Sequence, residues 1–243
     1  MANVLFSGKS DVGLMRSNNE DAFLIKQELG MCAVADGVGG AASGEVASHI
    51  FCDTSLELFS QGNTHSEEDT IKMMQAAFQL ANERILNKAR REPAHNGMGC
   101  TAELLKFFDS IYSIGHVGDS RVYLFRQGQL KQITKDHSLV QEQIDQGIIS
   151  TLEARKHSLR HHILRAVGIN DSLAVDFIKG RTMPGDIFLL CSDGLSDMIE
   201  DSIIQQVLSL PSSLEQKTDI LIESAKSAGG YDNITVVLCE VTA

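Results

Sequence analysis

The stretch TAELLKFFDSIYSIGHVGDSRVYLFR, residues 101–126, decides the fold class. It holds three runs of strand-forming residues, 101–108, 111–117 and 121–126, separated only by Asp109-Ser110 and Gly118-Asp119-Ser120. Connections this short leave no room for a crossover helix, so the spacing predicts antiparallel hairpins rather than parallel βαβ units. Working outward, strands are predicted at 2–8, 22–27, 31–35, 174–179, 186–191 and 234–241. Helical stripes lie between them. Ala47, Ile50, Phe51, Thr54 and Leu58 share a face of 44–59, and Ile71, Met74, Phe78, Ala81 and Ile85 share a face of 66–91, shortly before Pro93. Leu214, Thr218, Leu221, Ala225 and Ala228 form a third stripe, closed by Gly229-Gly230. Two early helices, a run of hairpins and a late helix predict an α+β layered domain. Residues 135–165 differ: they are polar, His-rich and only briefly helical, which reads as a surface flap over a site.

No repeat, low-complexity segment or Pro/Gly/Ser-rich linker divides the 243 residues, so they read as one domain spanning 1–243. A chain of this length buries enough surface to hold a core without disulfides or an oligomer, and nothing demands more than a monomer. The net charge of −11 argues against a nucleic-acid binder, which needs a basic face, and against adsorption to anionic membranes. Ordinary apolar content and scattered charge argue against disorder. Cys32, Cys52, Cys100, Cys191 and Cys239 are odd in number, widely spaced and without a C-x-x-C pair, which predicts buried free thiols in a reducing compartment. The N-terminal MANVLFSGKSDVG lacks the basic and apolar regions of a signal peptide. The longest apolar runs fall far short of the roughly 20 residues that span a bilayer. A soluble, cytoplasmic protein is expected.

The chemistry is carried by where the acids sit. Met31-Cys32-Ala33-Val34-Ala35 reads as a strand buried on both faces and ends in Asp36-Gly37. Ile187-Phe188-Leu189-Leu190-Cys191 leads into Ser192-Asp193-Gly194, and the run 111–117 leads into Gly118-Asp119. Asp232-Asn233 precedes the last strand, and Glu20-Asp21 precedes another. Any one Asp-Gly after a strand is most often only a turn. Five strand ends with carboxylates, and too few nearby Lys or Arg to pair them, imply bound cations. An all-oxygen ligand set selects Mg²⁺ or Mn²⁺ rather than zinc, and no D-x-[DN]-x-[DN]-G loop suggests an EF-hand.

Several other patterns give weaker readings. Gly8-Lys9-Ser10 resembles the end of a P-loop, but Asn3 stands where the first glycine is required. Gly37-Val38-Gly39-Gly40-Ala41-Ala42 fits G-x-G-x-x-A, with Glu57 about 20 residues on, as a dinucleotide fingerprint would have it. Against that stand the third-strand position, the carboxylate of Asp36 and the downstream hairpins. His157, His161 and His162 read as exposed flap histidines, since no zinc-protease Glu follows His157. G-x-S-x-G is absent, so no nucleophile triad can be argued.

Seven motifs in one order, from Ser10 to Val237, resemble the PP2C (PPM) metal-dependent Ser/Thr protein phosphatases in their compact bacterial form. They are Ser10-Asp11-Val12-Gly13…Arg16…Asn19-Glu20-Asp21; Ala35-Asp36-Gly37-Val38-Gly39-Gly40…Gly44-Glu45; and Gly99-Cys100-Thr101-Ala102. His116-Val117-Gly118-Asp119-Ser120-Arg121, Thr134-Lys135-Asp136-His137-Ser138 and Leu190-Cys191-Ser192-Asp193-Gly194-Leu195 follow, and Gly230-Tyr231-Asp232-Asn233-Ile234-Thr235-Val236-Val237 closes the set. The resemblance implies a four-layer α-β-β-α sandwich with two central antiparallel β-sheets. It implies that Asp36 bridges two metals, Asp193 and Asp232 hold one, and Glu20 with the carbonyl of Gly37 holds the other. Asp119 with Asp193 matches the ligands of a third metal. Arg16 matches the arginine that binds substrate phosphate, and Asp21 and Asn233 match groups that orient ligands and water.

A phosphomonoester dianion repels hydroxide, and two cations remove that repulsion and acidify a bridging water, which attacks phosphorus directly. The implied function is hydrolysis of phosphoserine and phosphothreonine in proteins at a binuclear, or with Asp119 trinuclear, Mn²⁺/Mg²⁺ centre. The implied partners are a bacterial Ser/Thr kinase and its substrates. The alternatives are an inactive phosphatase-fold scaffold or sensor and, more remotely, the dinucleotide-binding enzyme. One departure matters. Val38 stands where many eukaryotic members carry a histidine proposed to protonate the leaving group, which leaves that proton to metal-associated water or a flap histidine. Glu20, Asp21, Asp36, Asp119, Asp193 and Asp232 are six of the 32 acids, so the implied site accounts for about half of the charge excess.

Overall fold

The runs that read as continuously apolar are strands with both faces covered. The computed structural model describes residues 3–39, 43–62 and 66–242. Its strands are β1 (Val4–Asp11), β2 (Asp21–Lys26), β3 (Met31–Val38), β4 (Gly99–Cys100), β5 (Ala102–Phe108), β6 (Ile111–Val117), β7 (Arg121–Arg126), β8 (Gln129–Gln132), β9 (Asp176–Arg181), β10 (Ile187–Cys191) and β11 (Ile234–Val241). One antiparallel sheet has the order β1-β11-β10-β7-β8, and the other β2-β3-β5-β6-β9 with β4 on β3. The helices are α1 (Gly44–Gln61), α2 (Glu67–Arg91), α3 (Leu139–Asp145), α4 (Thr151–Ala154), α5 (Asp193–Ser196), α6 (Asp201–Leu208) and α7 (Leu214–Ser227).

Period-two alternation sorts the strand residues into layers. In β3, Met31, Ala33 and Ala35 pack with Phe51 of α1 and Met74 and Phe78 of α2, while Cys32 and Val34 point into the space between the sheets. In β10, Ile187, Leu189 and Cys191 pack on Ile204, Leu221 and Ile222 of α6 and α7. Phe188 and Leu190 of the same strand meet Leu105 and Ile114 from the other sheet. The result is the expected four-layer α-β-β-α sandwich. The layers touch closely: Cys32 Sγ and Cys239 Sγ lie 3.3 Å apart across the inter-sheet core. No helix of the described residues is long and apolar enough to cross a membrane.

One sequence expectation needs correction, and one remote alternative is excluded. Runs 101–108 and 111–117 do pair as a hairpin, but β6 and β7 do not, because each belongs to a different sheet. Gly118, at φ +112°, turns the chain from one sheet to the other, and Ser120 is buried at the crossing. β7 instead pairs with β8, a short strand whose polar composition hid it, through Gln127 and Gly128 at φ +52° and +80°. The dinucleotide reading also fails on topology: β3 is antiparallel to both β2 and β5, so no βαβ unit exists there. Gly40, Ala41 and Ala42 of that pattern lie outside the described residues, as does Ala2 of the first predicted strand.

Candidate active site

Antiparallel pairing gathers the strand-end acids at one end of the sandwich. Asp21 opens β2 directly opposite Asp36 near the end of β3. Asp193 follows β10 and Asp232 precedes its partner β11. Asp119 sits on the crossing between β6 and β7. Arg16, Glu20, Asp36, Gly37, Asp119, Asp193, Asp232 and Asn233 all line one cleft of about 870 Å³, and Asp21 lies buried beneath it.

The scaffold around these groups is hydrogen-bonded in detail. Asp36 donates its backbone N–H to Thr101 Oγ1 at 3.0 Å and accepts from the Thr101 N–H at 2.8 Å, while Thr101 Oγ1 and Ser120 Oγ are 2.7 Å apart. Asn233 Oδ1 accepts from the Glu20 N–H at 2.8 Å, and its Nδ2 donates to the carbonyls of Val12 and Asn18 at 3.0 and 2.9 Å. One amide thus ties the Arg16 loop to the β11 entry. Ser192 Oγ donates to Asp21 Oδ2 at 2.7 Å and accepts from the Thr235 N–H at 3.0 Å. Gly37 and Gly44 are pressed together: a Cβ on Gly37 would fall 2.3 Å from the Gly44 carbonyl carbon, and one on Gly44 would fall 2.6 Å from Glu20 Oε2. Any side chain there would displace Glu20 or the Gly37 carbonyl.

What the scaffold lacks is positive charge. Arg16 Nη2 bonds Asp232 Oδ2 at 2.7 Å. Among the described residues, no Lys or Arg forms an ion pair with Asp21, Asp36 or Asp119. Burial, and then repulsion from Asp21, Asp193, Asp119 and Asp232, push the Asp36 carboxyl well above its ordinary range. Burial followed by Asp193 does the same to Asp119, and burial raises Asp21 to about 7. Burial also lifts Glu20. The buried oxygens Asp21 Oδ1 and Asp193 Oδ1 have no hydrogen-bond partner among the described residues. A cluster of repelling carboxylates with orphaned oxygens, all hard donors, fits divalent cations of the Mg²⁺ or Mn²⁺ kind.

The sequence reading missed two members of this neighbourhood. Asp197 follows Asp193 by four residues, one helical turn on, a spacing that could have flagged it. His161, read as an exposed flap histidine, is half exposed but faces both: its Nδ1 is 3.3 Å from Asp197 Oδ2 and 3.8 Å from Asp193 Oδ2. His157 stays outside the cleft and accepts the Leu159 N–H through Nδ1 at 3.2 Å. Val38 lines the cleft.

Residues 15–228 match the protein phosphatase 2C family. The chain is 38% identical over 236 residues to the serine/threonine protein phosphatase PstP of Mycobacterium tuberculosis, covering 97% of this chain and 45% of that protein. It therefore spans about half the length of that relative. It is 35% identical to the serine/threonine phosphatase stp of Listeria innocua, covering 96% of this chain and 94% of that one. Among solved structures, the catalytic domain of PstP in complex with two manganese ions superposes with a TM-score of 0.90 at 35% identity, covering 99% of each chain.

Proposed function

The chain belongs to the protein phosphatase 2C family, and from that premise we propose that it hydrolyses phosphoserine and phosphothreonine esters in proteins as a metal-dependent phosphoric monoester hydrolase. The observation that carries this reading is the cluster of strand-end acids, of which Asp21, Asp36 and Asp119 have no Lys or Arg partner among the described residues, in the cleft that also holds the Arg16 guanidinium. Asp36, Asp193, Asp232, Glu20 and the Gly37 carbonyl would hold two Mn²⁺ or Mg²⁺ ions, with Asp119 and Asp193 serving a third. Bound there, the cations supply charge neutralisation for the ester dianion and acidify the attacking water.

The chain's own residues do the rest. Arg16 offers a planar fork of donors for two phosphate oxygens, which a lysine could not imitate. Its present bond to Asp232 holds that fork in the cleft until phosphate competes for it. Asn233 keeps Glu20 and the 12–18 loop in register, and Asp21, opposite Asp36 on the neighbouring strand, is anchored by Ser192. Residues 135–165 act as a flap on a single domain spanning the chain, bringing His161 and Arg160 to the cleft wall. The substrates are phosphorylated proteins, a Ser/Thr kinase and its targets among them. The enzyme works as a cytoplasmic monomer, a placement supported by five buried free cysteines.

The test is hydrolysis of p-nitrophenyl phosphate and a phosphothreonine peptide, with Mn²⁺ and with a chelator. Activity should require the metal, and Asp193→Asn should abolish it while circular dichroism stays native. Turnover that survives either the chelator or the substitution refutes the reading.

A further inference from the structure

The cleft is far larger than a phosphoryl group and lies within the size range of sites that enclose whole ligands. Its acids occupy one side. Another part of its wall is built from apolar residues that no catalytic role explains. Val38 stands opposite Gly99 in the β3–β4 pairing. Ile169 covers that glycine: a Cβ there would meet Ile169 Cδ1 at 2.8 Å and Cγ1 at 2.9 Å. Leu164, where the chain returns from 135–165, lines the same cleft.

This wall is rigidly mounted. Asn82 of α2, itself 2% exposed, accepts the Gly168 N–H at 2.6 Å and donates to the Asn170 carbonyl at 2.9 Å, so Ile169 is held on both flanks. Val167 and Cys100 exchange two backbone hydrogen bonds at 2.8 and 3.0 Å, and the Leu164 N–H is fixed to the His137 carbonyl at 2.7 Å. Yet Leu164 and Ile169 remain 39% and 43% exposed. Apolar side chains that a fixed backbone holds open to a cleft are preorganised to lose that exposure to a ligand. Tyr231, 61% exposed, lines the same cleft as Arg16.

We propose that Val38, Leu164 and Ile169 form a subsite for an apolar side chain flanking the phosphorylated residue. The preferred substrates are then phosphoprotein segments with Leu, Ile, Val or Phe beside the phosphoserine or phosphothreonine. The occupant is a substrate segment because the wall is continuous with the cleft that holds Arg16. This rests on the phosphatase reading, so the experiment separates the two.

Three phosphothreonine peptides, identical except for Leu, Ser or Glu at the flanking positions, are assayed with Mn²⁺. Each kcat/KM is divided by the same preparation's value for p-nitrophenyl phosphate, which removes any difference in folded fraction. The wild type should prefer the Leu peptide over the Ser peptide by about tenfold, mostly through KM, as a partly enclosed apolar contact allows. Ile169→Ser and Leu164→Ser should bring the ratio close to one, and Ile169→Val should keep it. Equal rates for Leu and Ser, a preference for Glu, or a Leu preference that survives the Leu164→Ser/Ile169→Ser double variant would overturn the subsite while leaving the phosphatase standing. Failure of the wild type on every peptide and on p-nitrophenyl phosphate would instead sink the phosphatase reading, and the subsite with it.

Discussion

Asp136 and Asp186 on one hand, and Asp21, Asp36 and Asp119 on the other, are all largely withdrawn from water, yet only the first two meet an arginine. Asp136 takes three hydrogen bonds from Arg121 at 2.6–3.0 Å, and Asp186 takes two from Arg126 at 2.7 Å. A third buried acid, Glu103, is paired with His116. The chain evidently can supply cations where a buried carboxylate serves the fold. At the strand-end cluster it supplies almost none, and the acids repel one another. Buried charges are costly to leave uncompensated, so these acids either hold protons or take their compensating charge from a bound cation. The difference separates acids that hold the protein together from acids held ready for a ligand.

The sharpest break of this comparison is Asp36→Asn. Activity should fall at least about a thousandfold, some 4 kcal/mol of barrier, while the chelated protein should melt no lower than wild type, because a repelling charge has been removed. A lowered melting temperature in chelator would move Asp36 into the structural group. Arg121→Met tests the other side. It leaves the Asp136 carboxylate with only the Gln132 amide and should cost about 3 kcal/mol in urea unfolding, at the lower end for such pairs because Arg121 keeps 21% side-chain exposure. A loss under 1 kcal/mol would erase the contrast.

Metal itself comes next. Mn²⁺ at a hundred times its Kd should stabilise the protein by about 2.7 kcal/mol, seen as a rising melting temperature that EDTA reverses. No shift would mean the cluster tolerates its own repulsion.

The smallest effect is a pH dependence in the paired region. Burial pulls the His116 imidazole down, but Glu103 outweighs it and raises the group to about 9. A raised imidazole stabilises the fold fully below its unfolded value near 6.5, and that contribution fades as pH climbs through 9. Between pH 7 and 8.5 the His116 contribution should therefore fall by about 2 kcal/mol in the chelated protein. The Glu103→Gln/His116→Gln double variant should be flatter across that window; parallel curves would deny His116 its charge.

Much of this was legible in the linear chain. Buried strands announce themselves as unbroken apolar runs, so 31–35, 187–191 and 234–239 could be placed, and acids ending such runs are conspicuous against them. Asp197 was legible only as an acid one helical turn beyond Asp193, and His161, on a distant polar segment, gave no sign that it meets either. β8 was hidden because an edge strand needs no apolar pattern. The hairpin wrongly expected at 118–120 has the length of a turn, and length alone does not say whether a turn returns to its own sheet or crosses to another.

The sequence by itself determined an α+β layered domain and where most of its strands and helices lie, because alternation and helical periodicity are local consequences of which faces must leave water. It also determined which acids end strands, since those positions follow from the same runs. Only the tertiary structure decided that Arg121, Arg126 and His116 go to Asp136, Asp186 and Glu103 and leave Asp21, Asp36 and Asp119 without a Lys or Arg partner among the described residues. Pairing of charges depends on distance in space, and contacts such as Arg126 with Asp186 join residues 60 positions apart. The same folding set Ile169 over Gly99 and left it open to the cleft, for the same reason: packing is a relation between elements, and no single stretch of chain contains it.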